Sequence, residues 1–303
     1  MGDKTDSDAR LALVEEWLAS LRQSLVIGDL TWDSVESDLR SLAVNYIVRR
    51  QLEALEASVV LVKAGFGHLA VGFVRPALDE LLWIDWIKDL PRAEAHELLS
   101  DMGSFDGVRS LVAQRGYAGD QVMQQLWYPV ALLDAAAEQE KELKGELKKR
   151  GKALGWGNSA FPTSEWVAER TGRGPLFQYL HSATSRSLHF SMGEAMRNGW
   201  GEPGGILTTI KPEFRSNRSD FALYQLPRLF SDTLVACDSL REAAGLEFEV
   251  EDEGERFLAA SENLTACGAV PLVHAHEWNL GPDGPLGSRA KKDDPSQGDR
   301  SSS

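Results

Sequence analysis

Cysteine is nearly absent, with only Cys237 and Cys267 in 303 residues. Neither sits in a Cys-x-x-Cys spacing, so a disulfide framework and a zinc ribbon are both unsupported, and a reducing cytoplasm is the expected compartment. Long apolar runs are also missing. No stretch approaches the ~20 consecutive apolar residues of a membrane span. The opening MGDKTDSDAR is polar and acidic rather than basic then apolar, which argues against a secretory signal. It departs from a myristoylation motif at Asp6. Positive charge is in deficit: 32 Lys and Arg against 46 Asp and Glu give a net charge of −14. Such a chain repels nucleic-acid backbones and anionic lipid except where basic residues are concentrated locally. Segments with strand patterning are scarce, Gly205 to Ile210 (GILTTI) and Leu246 to Val250 (LEFEV) being the two. No P-loop, dinucleotide fingerprint, Gly-x-Ser-x-Gly elbow or kinase signature occurs.

What the chain has is helical periodicity and material for a large core, with 43% hydrophobic residues and nine tryptophans. Apolar residues at three- and four-residue spacings predict helices over Asp8 to Ile27, about 32–63, 66–90, 92–115 broken near Gly103 or Gly107, 120–154, 176–200 and about 220–244, with Pro76 either kinking the 66–90 segment or starting a new helix with Arg75 just outside it and Pro91 closing it. The stretch EQEKELKGELKKRGKAL reads as a solvated helix end laced with pairs of opposite charge. Residues 155–175 read as a loop holding a short helix capped by Thr163 or Ser164. The predicted fold class is all-α, a multi-helix bundle with a buried polar centre and a disordered C-terminal tail. Residues 1–245 are expected to form the bundle, 246–280 an acidic extension and 281–303 the disordered tail.

The polar centre comes from two segments. FGHLAVGFVRPALDELLWIDWIKDL, from Phe66, is apolar nearly all round yet carries Arg75, Asp79, Glu80 and Asp85. Such a helix belongs inside a bundle, where an unpaired charge costs several kcal/mol, so each charge needs a partner. Arg75 and Asp79, four apart, suit each other; Glu80 points about 140° away from Arg75 and needs a partner from another helix. LFQYLHSATSRSLHFSMGEAMRNGW, from Leu176, places Tyr179, Ser182, Arg186 and His189 near one stripe, and Arg186 or His189 is the natural partner for Glu80. A carboxylate and imidazole so paired can perform acid/base chemistry, although buried ion pairs more often only lock helices together. No metal or other cofactor is expected. Glu-x-x-His does not occur, which leaves His68, His181 and His189 with Glu80, and the His274-x-His276 pair, as poor substitutes.

Arg75 with Glu80, followed by Tyr179, Ser182, His189 and Ser191, resembles a bacterial family known as domain of unknown function 5677, over about 44–200 with gaps. That resemblance implies an α-helical bacterial protein with no assigned activity. The arrangement is also similar to HEPN domains, helical bundles that often act as metal-independent ribonucleases in toxin and phage-defence systems. Their signature is an Arg followed, after four to six residues, by His. This chain departs from it, with two residues between Arg186 and His189, three between Arg92 and His96, and His181 preceding Arg186. The likeness implies His189 as the acid/base group, Arg186 as the phosphate clamp and a site at a homodimer interface.

Two functions are therefore expected. The first is a cytoplasmic binding or regulatory module in a stress or phage-defence setting, with a protein or small molecule as partner. The second is a ribonuclease toxin acting on RNA through Arg186, His189 and Glu80. Neither involves a membrane.

Overall fold

The computed structural model describes residues 4–31, 38–126, 128–189, 191, 212–248 and 252–272, apart from the side chains of 4–6, 186–188, 212–214 and 252–255. Among them the elements are α1 (Lys4–Ser24), β1 (Leu25–Ile27), α2 (Leu39–Lys63), a 3-10 turn (Gly67–Ala70), α3 (Val71–Ile87), α4 (Arg92–Ala118), α5 (Asp120–Gln125), α6 (Val130–Leu154), α7 (Ser164–Arg170) and α8 (Gly174–Leu188). There follow α9 (Pro212–Ala236), a second 3-10 turn (Asp238–Leu240), β2 (Leu246–Phe248) and α10 (Asp252–Ala266). The fold is all-α, an assembly of packed helices with one two-stranded antiparallel ribbon. No helix among the described residues is long and apolar enough to cross a membrane.

α3 is the central element, in contact with α2, α7, α8 and α9. Its Val71, Val74, Leu78, Leu81, Leu82 and Ile84 are fully buried, as an all-round apolar sequence requires. The 3-10 turn ahead of it lies so close to its neighbours that a Cβ on Gly67 would sit 2.5 Å from Val62 Cγ2 and 2.6 Å from Ser219 Oγ. Pro76 neither kinks the chain into two helices nor leaves Arg75 outside, because it falls in the second turn of α3, where only one backbone hydrogen bond is lost. Asp38 caps α2 by accepting from Arg40 N at 3.0 Å, and the Arg40 side chain reaches the Leu90 carbonyl at 2.7 Å, fixing the start of α2 to the end of α3.

α4 and α6 pair with each other. α4 runs through Gly103 and Gly107 without a break, since the ~1 kcal/mol that each glycine costs a helix is outweighed by burial of Leu98, Met102 and Phe105. The predicted helix 120–154 is divided at Pro129, which has no N–H to continue α5, and α6 ends at Gly155 with φ 93°, a conformation suited to glycine. The charged half of α6 is solvated, with Lys141–Glu138 at 2.8 Å and Lys149–Glu146 at 2.6 Å.

α1 stops at Ser24, earlier than its period predicts. Residues 25–27 extend and pair with β2, Leu25 opposite Phe248 and Ile27 opposite Leu246, so the first three residues of the LEFEV stretch form a strand. Helix α9 begins at Pro212, not Asp220. The GILTTI segment, residues 281–303 and the His274-x-His276 pair lie outside the described residues.

The segment expected as an acidic extension contributes to the core as far as residue 272. α10 packs on α1; Trp17 Nε1 donates to Ser261 Oγ at 2.9 Å and its ring meets Phe230 edge-on at 5.9 Å and Phe257 at 5.5 Å. Ala260, Leu264, Val270 and Leu272 are buried in the same cluster. Trp17 is fully buried, so Trp17→Ala is expected to cost about 3–5 kcal/mol of stability in urea unfolding. A loss below about 1 kcal/mol would mean that α10 is dispensable to the core.

Candidate functional site

The site forms where α7 and α8 meet α3. Thr163 caps α7, its Oγ1 accepting from Trp166 N at 3.2 Å, and α7 leads through Gly172 into α8. α8 turns Phe177, Leu180 and Thr184 inward. The stripe Phe177, His181, Ser185, His189, at successive four-residue steps, then runs past Arg75 and Asp79.

Arg75 is the hub. Its side chain is 18% exposed; Nε donates to Asp79 Oδ2 at 3.0 Å, Nη1 makes a long contact to Ser185 Oγ at 3.5 Å, and Cζ lies 5.7 Å from the centre of the Phe177 ring. Asp79 Oδ1 is buried with no hydrogen-bond partner among the described residues. His181 lies against Phe177 at 4.8 Å between ring centres, and its Nδ1 is 3.4 Å from Ser185 Oγ. Burial, and then the neighbouring Arg75, hold the His181 pKa below its ordinary value, which favours neutral imidazole.

Two open clefts meet at this pair. One, of about 480 Å³, is bounded by Arg75, Pro76, Asp79, His181, Ser185 and His189. The other, of about 420 Å³, adds Thr163, Ser164, Glu165, Phe177 and Gln178 to Arg75 and His181. The chemistry available is anion binding by a guanidinium, proton exchange at imidazole and hydrogen bonding from hydroxyls.

Of the residues predicted for the polar centre, the structure brings Arg75, Asp79 and His189 to one cleft. Glu80 is elsewhere. Its carboxylate faces α2, with Oε1 3.0 Å from Arg50 Nε, rather than His189. The reason is angular: the turn that aims Arg75 at α8 aims Glu80 at α2. Burial, only partly offset by Arg50 and a hydrogen bond from Gln51, pushes the Glu80 pKa up to about 7. Tyr179 also points away, its ring 6.4 Å from Phe221 on α9. Burial and then Tyr224 raise its pKa. Ser182 is exposed and bounds neither cleft. The Arg186 side chain lies outside the described residues. His181, Ser185 and Glu165 were not assigned to the centre; a four-residue step from Phe177 would have found the first two.

Asp85, 9% exposed, is a lock. Lys88 Nζ reaches its Oδ1 at 2.8 Å and Arg173 Nε its Oδ2, while Arg173 also contacts Asp232 Oδ2 of α9 at 3.3 Å. α8 is thereby fixed to α3 and α9 at the residue just before its start. Trp86 meets Trp83, Trp156 and Trp166 edge-on at 5.3, 5.8 and 5.4 Å, packing the α7 side of the same junction. No group of three His, Cys, Asp or Glu among the described residues converges as a metal centre requires.

Asp85→Ala, which leaves half-buried Arg173 with only its 3.3 Å contact to Asp232, is expected to cost about 1.5–3 kcal/mol, above Asp79→Ala; equal losses in chemical unfolding would refute the lock. Glu80 has a second signature. Its pKa is about 7 folded against 4.5 for the free group, so the folded state binds the extra proton. Its contribution to stability is full below pH ~4.5 and is lost as pH rises through ~7, a swing of about 3 kcal/mol. Glu80→Gln should remove that swing from melting curves taken between pH 5 and 8. No protein-family model, no curated protein and no solved structure matches this chain.

Proposed function

We propose that this protein is a helical binding module whose α3–α8 cleft receives a small polar ligand through its anionic group, with Arg75 as the anchor. The observation that carries this reading is the incomplete use of Arg75. A purely structural arginine at 18% exposure would spend its fork on fixed partners, whereas here Nε is committed to Asp79, Nη1 has only the 3.5 Å contact to Ser185, and Nη2 has no partner among the described residues. A guanidinium held by one edge and open at the other suits a carboxylate or phosphate. The cytoplasm is our proposed location, supported by two free cysteines, Cys237 and Cys267. A stress or defence setting rests on the resemblance alone.

A second reading, a metal-independent ribonuclease, is favoured by one observation: His181 and His189 share a cleft with Arg75. Two imidazoles beside a cation are the parts needed to move a proton on and off a phosphodiester. In this reading Arg75 takes the clamp role that the resemblance gives to Arg186.

Calorimetric titration of the purified chain with small carboxylates, amino acids and phosphate esters tests the first reading. Arg75→Met is expected to weaken any binder by roughly 10- to 100-fold, the worth of a charged hydrogen bond, while the protein stays folded. Binding indifferent to that substitution would discard the anchor. Incubation with labelled RNA tests the second: cleavage lost in both His181→Ala and His189→Ala would displace the binding reading.

A further inference from the structure

We propose that the Arg75 cleft selects a zwitterion, a ligand with a carboxylate and an ammonium a few bonds apart, as in a free α-amino acid. This deepens the reading of Arg75 as an anchor and rests on it. The charged groups that bound the two clefts among the described residues are one cation, Arg75, and two carboxylates, Asp79 and Glu165. These three charges sum to −1. A phosphate dianion drawn to Arg75 would meet two carboxylates, and a simple carboxylate would leave both unanswered. A zwitterion answers each sign with its opposite.

The spacing agrees. Asp79 Oδ2 lies 3.0 Å from Arg75 Nε, so a positive and a negative group stand side by side at the cleft wall. In an α-amino acid the amine nitrogen and carboxyl carbon are about 2.5 Å apart, two covalent bonds across one tetrahedral carbon. A ligand laid against the wall in the antiparallel sense brings its carboxylate to the free edge of the guanidinium and its ammonium to Asp79. Asp79 also has charge to offer. Among the described residues only one of its oxygens is hydrogen-bonded and the other is buried without a partner, so Arg75 alone leaves it incompletely compensated. The adjoining cleft continues past Arg75 and His181 towards Glu165, with the Phe177 ring as an apolar wall. At about 420 Å³ it has room for a side chain or a second residue beyond the charged head.

The experiment is calorimetric titration of the full chain with each standard free amino acid at millimolar concentration, then with three relatives of the best binder: its N-acetyl derivative, its deaminated acid and its decarboxylated amine. Inorganic phosphate is run alongside. At least one free amino acid is expected to bind. Removing either charge from it should weaken binding by roughly tenfold or more, and Arg75→Met and Asp79→Asn should each do the same. Far-ultraviolet circular dichroism and melting of both variants show that they are folded. Should Asp79→Asn fail to fold, Glu165→Gln and the ligand series carry the test. If deaminated acids or phosphate bind in an Arg75-dependent manner as tightly as amino acids, the zwitterion is wrong and the anchor stands. If folded wild type binds no amino acid, carboxylate or phosphate, both are wrong.

Discussion

A helix that is apolar on every side has no direction in which to send a charge, and α3 carries four of them. In such surroundings an unanswered carboxylate or guanidinium costs several kcal/mol, so each fixes the position of whatever neutralises it. Asp85 answers this at the C-terminal end by holding Arg173, and through it Asp232, which pins α8 and α9 at one corner. Glu80 holds Arg50 and so sets α2. Arg75 and Asp79, four residues apart, neutralise each other within the helix and are the pair that leaves capacity over. The bundle is therefore fastened to α3 at two charged points and open at a third.

On the proposed reading, that division separates stability from recognition. The Asp85 junction and the cluster of Trp83, Trp86, Trp156 and Trp166 lie where α7 and α8 join α3, and they keep the Phe177, His181, Ser185 stripe opposite Arg75. A binding residue held by a rigid second layer needs little reordering when ligand arrives, which is the condition for affinity from few contacts. Glu80, although burial raises its pKa, belongs to the fastening and not to the cleft. A displaced pKa marks burial as readily as it marks chemistry.

Periodicity made the bundle, the buried helix and the Arg75–Asp79 pair legible in the sequence, because all three depend on spacing within one segment. Partner choice between segments was not legible. Arg50 lies in a helix whose apolar positions carried the pattern, and nothing in that pattern marks it as the answer to Glu80. Along α8 the stripe of Tyr179, Ser182 and Arg186 and the stripe of Phe177, His181 and Ser185 converge on His189, the residue just past its end. Only the burial of Phe177, Leu180 and Thr184 shows which of them is turned to α3. Acidic composition likewise concealed Phe257, Ala260 and Leu264, whose three- and four-residue spacing marks the inner face of α10.

The contact between Trp17 and Ser261 joins residues 244 positions apart, and β1 and β2 are nearly as distant. A ribosome therefore exposes the apolar face of α1 long before the segment that covers it exists. Closing so long a loop carries an entropic penalty that local helix formation does not relieve, so docking of α10 on α1 falls late in folding. Until then Trp17, Leu18 and Leu21 form a sticky surface on a growing chain, and the cell's means of shielding it bear on the yield of this protein as much as its final stability does.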